Sequence, residues 1–399
     1  MQLSQRLGVN RVVLALSLAR MTDALGNSMM IIVLPLYVAQ MPTIAEKLPP
    51  TLLIGILISI YGIINIVGQP LMGALTDRFG NRKQIILSGL ILMAGATCSF
   101  TLATRFSQLV LIRALQGVGV ALAVPATLAL MTSATVRATR GGSMGLYSTM
   151  RLVGFSIGPL LSGLLYEKFG FGTVFLVGTG MVLLSAGLVY LWVDESNLPV
   201  RAKSLKTERF RIFEREIWSN KILGLGAATT SMALAYSMMA ALENEFNVRL
   251  DQTAVGFGLA FSALTIGRML VQFPLGRLSD RIGRKPVILA GLILMAPATM
   301  ALGLVGSTLA LTGVRFVQGI ASAAIAAPTL ALVGDLSPVG GEARQMAVVT
   351  TGFFAGTSLG PLIAGSLAVY SFELPFFLGG LFALLGALVV YRTVSEEAA

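Results

Sequence analysis

Gly73-Ala-Leu-Thr-Asp-Arg-Phe-Gly-Asn-Arg-Lys83 is a basic, glycine-bounded stretch between two long apolar runs. It recurs 203 residues later as Gly276-Arg-Leu-Ser-Asp-Arg-Ile-Gly-Arg-Lys-Pro286. Both copies fit G-x-L-x-D-R-x-G-x-[RK]-[KP], and their spacing is about half of the 399-residue chain. The chain therefore reads as two copies of one unit. In each copy the glycines permit a tight turn. The acid Asp77 or Asp280 can accept charge-assisted bonds from a neighbouring arginine or a helix N-terminus. Such a cluster either latches one conformation or serves as a plain topogenic loop. Its duplication favours a latch built from Gly73, Asp77, Arg78, Gly80, Arg82, Asp280 and Arg281.

The flanks are too apolar for a soluble protein. Hydrophobic residues make up 55% of the chain, charged residues 12%, and mean hydropathy is +0.82, whereas a soluble domain carries roughly 25% charge. Apolar runs fall at 11–38, 51–72, 85–104, 107–131, 143–166, 172–193, 218–242, 253–275, 286–305, 308–333, 344–368 and 373–392. A span needs about 20 residues, and lipid leaves no partner for unpaired backbone groups, so each run predicts a helix. The expected fold is an all-α membrane protein of twelve transmembrane helices in two pseudo-symmetric six-helix bundles, 1–193 and 218–399. Residues 194–217 form the expected cytoplasmic linker, either solvated throughout or with a surface helix at Thr207–Trp218. The 44 glycines suit close helix packing in lipid.

The net charge of +11 is topological. With both termini on one side, that side collects 20 of the lysines and arginines counted in loops and span ends, against Lys47, Arg105, Lys168 and Arg249 on the other. This is the positive-inside pattern, so the termini are expected in the cytoplasm, and no nucleic-acid partner is expected. The first run is too long for a cleavable signal and lacks a cleavage pattern. There is no histidine and one cysteine, Cys98. This excludes a disulfide or thiolate metal site within the chain. No metal or cofactor is expected, and proton coupling must fall to carboxylates.

Ionisable residues inside spans are costly and point to function by default. Arg20 and Asp23 share one helix face, either as a structural pair or as a working site. Asn65 and Gln69 either line a path or bond between helices. Arg113-Ala-Leu-Gln-Gly117 and Pro125 return as Arg315-Phe-Val-Gln-Gly319 and Pro328. Gly154-x-x-x-Gly158-Pro159-x-x-x-Gly163 returns around Gly360-Pro361. Small residues four apart make a close-packing face, and the prolines bend it. Glu243 and Glu245 stand near the outer end of the seventh run, interfacial or buried. Arg268 matches Asn65 in the other half.

The repeated loop, the Arg113 segment and the Gly154–Gly163 segment together resemble the major facilitator superfamily, and the last resembles the fifth-helix motif of its drug:proton antiporter branch. That resemblance covers all twelve runs. It implies two bundles alternating access to a central site, a loop that holds the outward-facing state through Asp77, and proton coupling through Asp23 and Arg113. The expected cavity residues are Arg20, Asn27, Tyr37, Tyr61, Asn65, Arg151, Tyr236, Glu243 and Arg268. The expected function is proton-coupled export of amphiphilic small molecules by a monomer in a prokaryotic inner membrane, in contact with lipid. An excess of in-span arginine keeps an organic-anion or anionic-lipid exporter open, as well as an uncoupled facilitator. A membrane enzyme or sensor has no nucleophile–base set or metal cluster to support it.

Overall fold

The computed structural model describes residues 10–41, 48–79, 81–135, 139–194, 219–336 and 342–394. Among these residues the regular structure is helical and no strand forms. The helices are α1 Arg11–Ala39, α2 Pro50–Phe79, α3 Arg82–Ser99, α4 Phe106–Ser133, α5 Arg140–Trp192, α6 Asn220–Ser237, α7 Glu243–Arg249, α8 Ala254–Ile282, α9 Arg284–Ala301, α10 Thr308–Leu336, α11 Glu342–Leu367 and α12 Leu374–Thr393. The linker helix expected at Thr207–Trp218 lies outside the described residues.

Eleven of the described helices are long and apolar enough to cross a membrane. The twelfth run is hidden in α5, whose 53 residues are about twice the length of one crossing. The fifth and sixth runs join at Gly170, which adopts φ 77°, ψ −176°, a conformation essentially confined to glycine. Large apolar side chains such as Val67, Leu71, Ile91, Leu191 and Phe273 are exposed, as a lipid-facing surface requires.

The repeated stretch is less of a loop than expected. Residues 73–79 continue α2, and residues 276–282 continue α8. The turn contracts to a few residues around Gly283, at φ 96°. The physical reason is that Leu-x-Asp-Arg carries no breaker, so the helix runs on past the apolar segment. Gly73 is helical, and a Cβ there would meet only Pro125 at 3.8 Å, an ordinary contact. It turns no backbone. Gly80 and the side chains of Asp77 and Arg78 lie outside the described residues.

The seventh run departs from its first-half counterpart. α1 passes straight through Pro35 to Ala39. α6 stops at Ser237, tightens into a 3₁₀ turn over Met238–Ala241, and turns at Leu242 (φ −115°, ψ 24°) before α7 begins.

By contacts the chain divides into two compact units, Met1–Tyr37 with Ile63–Thr207, and Val38–Gly62 with Glu208–Ala399. Each unit is closed by a lysine. Lys83 Nζ donates to the Tyr190 carbonyl at 2.8 Å, and Lys285 Nζ to that of Tyr391 at 3.0 Å. Each ammonium also lies just over 5 Å from the ring of the same tyrosine. Within the second unit, the outer part of α2 packs on α11. Thr51 Oγ1 donates to Gly365 O at 3.0 Å, and Gly55 lies against the Pro361 carbonyl.

The Gly-Pro motif packs as expected. A Cβ on Gly154 would strike Met21 O and reach Leu25 N at 2.9 Å, and one on Gly158 would come within 2.7 Å of Leu25 O. Ser162 Oγ, beside buried Gly163, donates to Met29 O at 2.8 Å. The second half repeats this: a Cβ on Gly356 would meet Ala233 Cβ at 2.7 Å and Leu234 N at 2.8 Å, and one on Gly360 would meet Leu234 O at 2.8 Å. Pro159 and Pro361 lie inside α5 and α11.

Candidate functional site

The first unit holds a small, half-open recess with room for little more than a water molecule. α1 contributes Leu16, Ala19, Arg20 and Asp23; α3, Ile86 and Leu90; α4, Ala123, Val124 and Thr127; and α5, Tyr147, Ser185 and Val189. One helical turn brings Arg20 Nη1 to 2.5 Å from Asp23 Oδ2. Asp23 is buried, and its Oδ1 has no hydrogen-bond partner. The Arg20 guanidinium lies 5.9 Å from the Tyr147 ring centre. Arg151 adds its charge to the field at both Asp23 and Tyr147 and lies 5.2 Å from the Phe155 ring. A buried acid, an arginine and a phenol thus line one recess together with Thr127 and Ser185, and Arg151 lies close enough to act on the acid. Such a site can hold a proton or a charged group and change its pairing when either arrives.

Arg113 is not part of that pairing. The charges acting on Asp23 are those of Arg20 and Arg151. Arg113 Nη1 instead donates to Gln116 Oε1 at 3.0 Å, Gln116 Nε2 donates to Thr97 Oγ1 at 2.8 Å, and Thr97 donates to Met93 O. The second half repeats every link 202 residues on. Arg315 Nη1 donates to Gln318 Oε1 at 2.8 Å, Gln318 to Thr299 Oγ1 at 2.9 Å, and Thr299 to Met295 O. All six of these arginines, glutamines and threonines are buried. Gln116, Gln318, Thr97 and Thr299 were not singled out from the sequence. The glutamines stand in the repeated motif, whereas the threonines lie 19 residues away on a neighbouring helix.

In the second unit, Arg315 also donates to the Tyr236 carbonyl at 2.8 Å and lies 4.9 Å from the Phe261 ring. The Tyr236 phenol lies within electrostatic reach of both Arg268 and Arg315, so Tyr236, Arg268 and Arg315 come together. Among the described residues no carboxylate acts on Arg268, which is half-buried. If Ser28 and Ser237 are matched by their shared packing on Gly154 and Gly356, Asp23 corresponds to Met232. The acid therefore belongs to the first half alone.

The remaining expected cavity residues are dispersed. Tyr37 donates to Ala103 O at 2.7 Å and packs on Phe171 and Phe175, so it joins an aromatic cluster away from the recess. Asn65 accepts from Gln69 within one helix. Asn27 and Tyr61 are half-buried. Glu243 is fully buried, with no exposed surface toward any cavity.

The stretch expected to act as a latch is described in its second copy. Asp280 pairs with Arg284 at 3.4 Å, and Arg284 Nε lies 2.7 Å from Asp335. Arg281 is exposed. Arg284 and Asp335 carry this junction; the sequence marks Asp335 only as an acid at the C-terminal end of the tenth run. In the first half Arg82, the first residue of α3 as Arg284 is of α9, donates to Ser133 Oγ at 2.5 Å and Ala129 O at 3.2 Å. Ser133 stands where the second half has Asp335.

Two repeated halves, apolar spans and a buried ion pair define an integral membrane protein of the transporter type. The profile of the Major Facilitator Superfamily matches residues 16–249 and 222–399, and the chain belongs to that family. It is similar to the multi-drug resistance efflux pump PmrA of Streptococcus pneumoniae (serotype 4, strain TIGR4), at 25% identity over 85% of this chain and 86% of that one. It is also similar to the multidrug resistance protein MdtG of Klebsiella pneumoniae (strain 342), at 26% identity over 91% and 88%. Among solved structures, the inward-facing, unoccupied form of a bacterial homolog of the human lysosomal transporter Spinster superposes with a TM-score of 0.77. It does so at 16% identity, covering 97% of this chain and 98% of that one.

Proposed function

We propose that this chain is a proton-coupled exporter of amphiphilic small molecules, working by alternating access in a prokaryotic inner membrane with both termini in the cytoplasm. The similarity to named efflux proteins supports the substrate class, and the Arg20–Asp23 pair is the observation that carries the coupling. Protonating Asp23 neutralises it and releases Arg20, so the two conformations differ in proton affinity. That difference is what couples the gradient to transport. Arg151 keeps the recess positive when Asp23 is neutral. The Arg113 and Arg315 networks serve as matched supports for the bundles.

The test uses purified protein in vesicles loaded with a pH-sensitive dye, with gradients of cationic, neutral and anionic amphiphiles imposed across the membrane. Cationic or neutral drugs are expected to drive proton movement in wild type and not in Asp23→Asn. Drug flux without proton movement in wild type would overturn the coupling.

A second reading, export of an organic anion, is favoured by one observation: no carboxylate acts on half-buried Arg268. Proton movement driven only by anionic amphiphiles, and lost in Arg268→Gln, would select it.

A further inference from the structure

Glu243 is the fully buried carboxylate for which the Asp23 mechanism has no use. It sits at the break of the seventh span, directly after the 3₁₀ turn Met238–Ala241 and the non-helical Leu242. Its exposure is 0%, and among the described residues neither carboxylate oxygen has a hydrogen-bond partner. Leu242, Phe246 and Phe257 around this corner are buried as well. An ionised carboxylate cannot persist there unpaired, because its desolvation far exceeds the cost of taking up a proton.

The charged and titratable groups near this corner are occupied or elsewhere. On its own helix, Glu245 bonds backbone. Arg249 pairs with Glu373 at 2.8 Å and covers the Phe372 ring at 4.0 Å. Asp251, after α7, and Tyr370, before α12, are exposed. Tyr236 on α6 faces Arg268 and Arg315, and neither of those arginines acts on Glu243. Among the described residues, no charge from α8, α9, α10 or α11 acts on Glu243; only its burial does.

We propose that Glu243 is a second proton-binding site, loaded while the Leu242 corner is packed and emptied when that corner opens to water. On release, the O–H bond breaks, the electron pair stays on the carboxylate and the proton passes to water. The role of this proton in transport rests on the proposed proton-coupled function; its binding at Glu243 does not.

Infrared spectra of the full-length protein in lipid vesicles at neutral pH test the site directly. Wild type is expected to show a protonated-carboxyl C=O band that Glu243→Gln loses and Asp23→Asn keeps. Glu243→Met replaces the glutamine variant should that fail to fold. An unchanged spectrum in both Glu243 variants overturns the proposal. Raising the bathing pH with ethidium, a lipophilic cation, present is expected to abolish the band. A band that survives alkaline medium shows a permanently sealed acid and also overturns it. The same wild-type vesicles, read with the pH dye, decide the proposed function separately: absent proton movement beside a titrating Glu243 band sinks that reading alone.

Discussion

Arg20 and Asp23 form the one ion pair described inside the first unit's recess, and removing one partner differs from removing both. Arg20→Ala leaves Asp23 buried with only the more distant Arg151 to offset it, and is expected to cost about 3–5 kcal/mol, as breaking a buried pair does. Arg20→Ala combined with Asp23→Asn is expected to recover most of that stability while leaving proton movement abolished. Thermal unfolding followed by size-exclusion chromatography measures the first effect and the pH dye the second. Equal melting of the single and double variants would show that the pair is not energetically coupled. At this scale the sequence was readable where chemistry repeats: the arginines at 113 and 315 stand out by position. Their contacts do not, because a helix face names no partner. Arg113 bonds Gln116, and Asp23 is left to Arg20 and Arg151. Glu243 was harder still. Met238-Met-Ala-Ala-Leu-Glu contains no glycine or proline, so the break before it comes from packing, which the local sequence does not encode.

Helices α1 and α5 approach closely enough that single methyl groups matter. Gly154→Ala would press a Cβ onto Met21 O and Leu25 N, backbone atoms that cannot rotate away, and overpacking of this kind costs about 1–3 kcal/mol. Gly145, on the same helix, has nothing within 4 Å of its would-be Cβ, so Gly145→Ala is expected to be neutral or to stabilise by up to about 1 kcal/mol. Melting temperatures of the two variants check the order, and the reverse order would refute this packing. The glycine spacing, with its attached proline, announced the close face in advance. The extension of α2 and α8 through the repeated stretch was missed because Asp and Arg were taken as loop residues, although both are compatible with a helix emerging from lipid. The boundary between the fifth and sixth runs falls where the apolar pattern breaks, at Gly170, the one residue between them with non-helical backbone.

At the scale of the molecule, duplication is near-complete in scaffold and broken in chemistry. Arginine–glutamine–threonine networks, lysine closures and glycine faces recur in both halves. Asp23, Glu243, Arg268 and Asp335 do not; their counterparts are different residue types. The shared features were largely legible because they occur twice at a fixed offset. The unshared ones carry the proposed function and had only their cost in lipid to mark them.

The lysine closures and the grouping of residues 38–62 with the second unit bear on how the polypeptide can be divided. A chain cut within 195–218 keeps Lys83 on Tyr190 in one fragment and Lys285 on Tyr391 in the other. The first fragment also retains Thr51 and Gly55, which rest on Gly365 and Pro361 of the second. Two separately encoded fragments produced in one cell are therefore expected to find each other without a peptide tether. An affinity tag on one should recover the other from detergent extracts, and failure of both to accumulate would show that covalent continuity is needed for assembly.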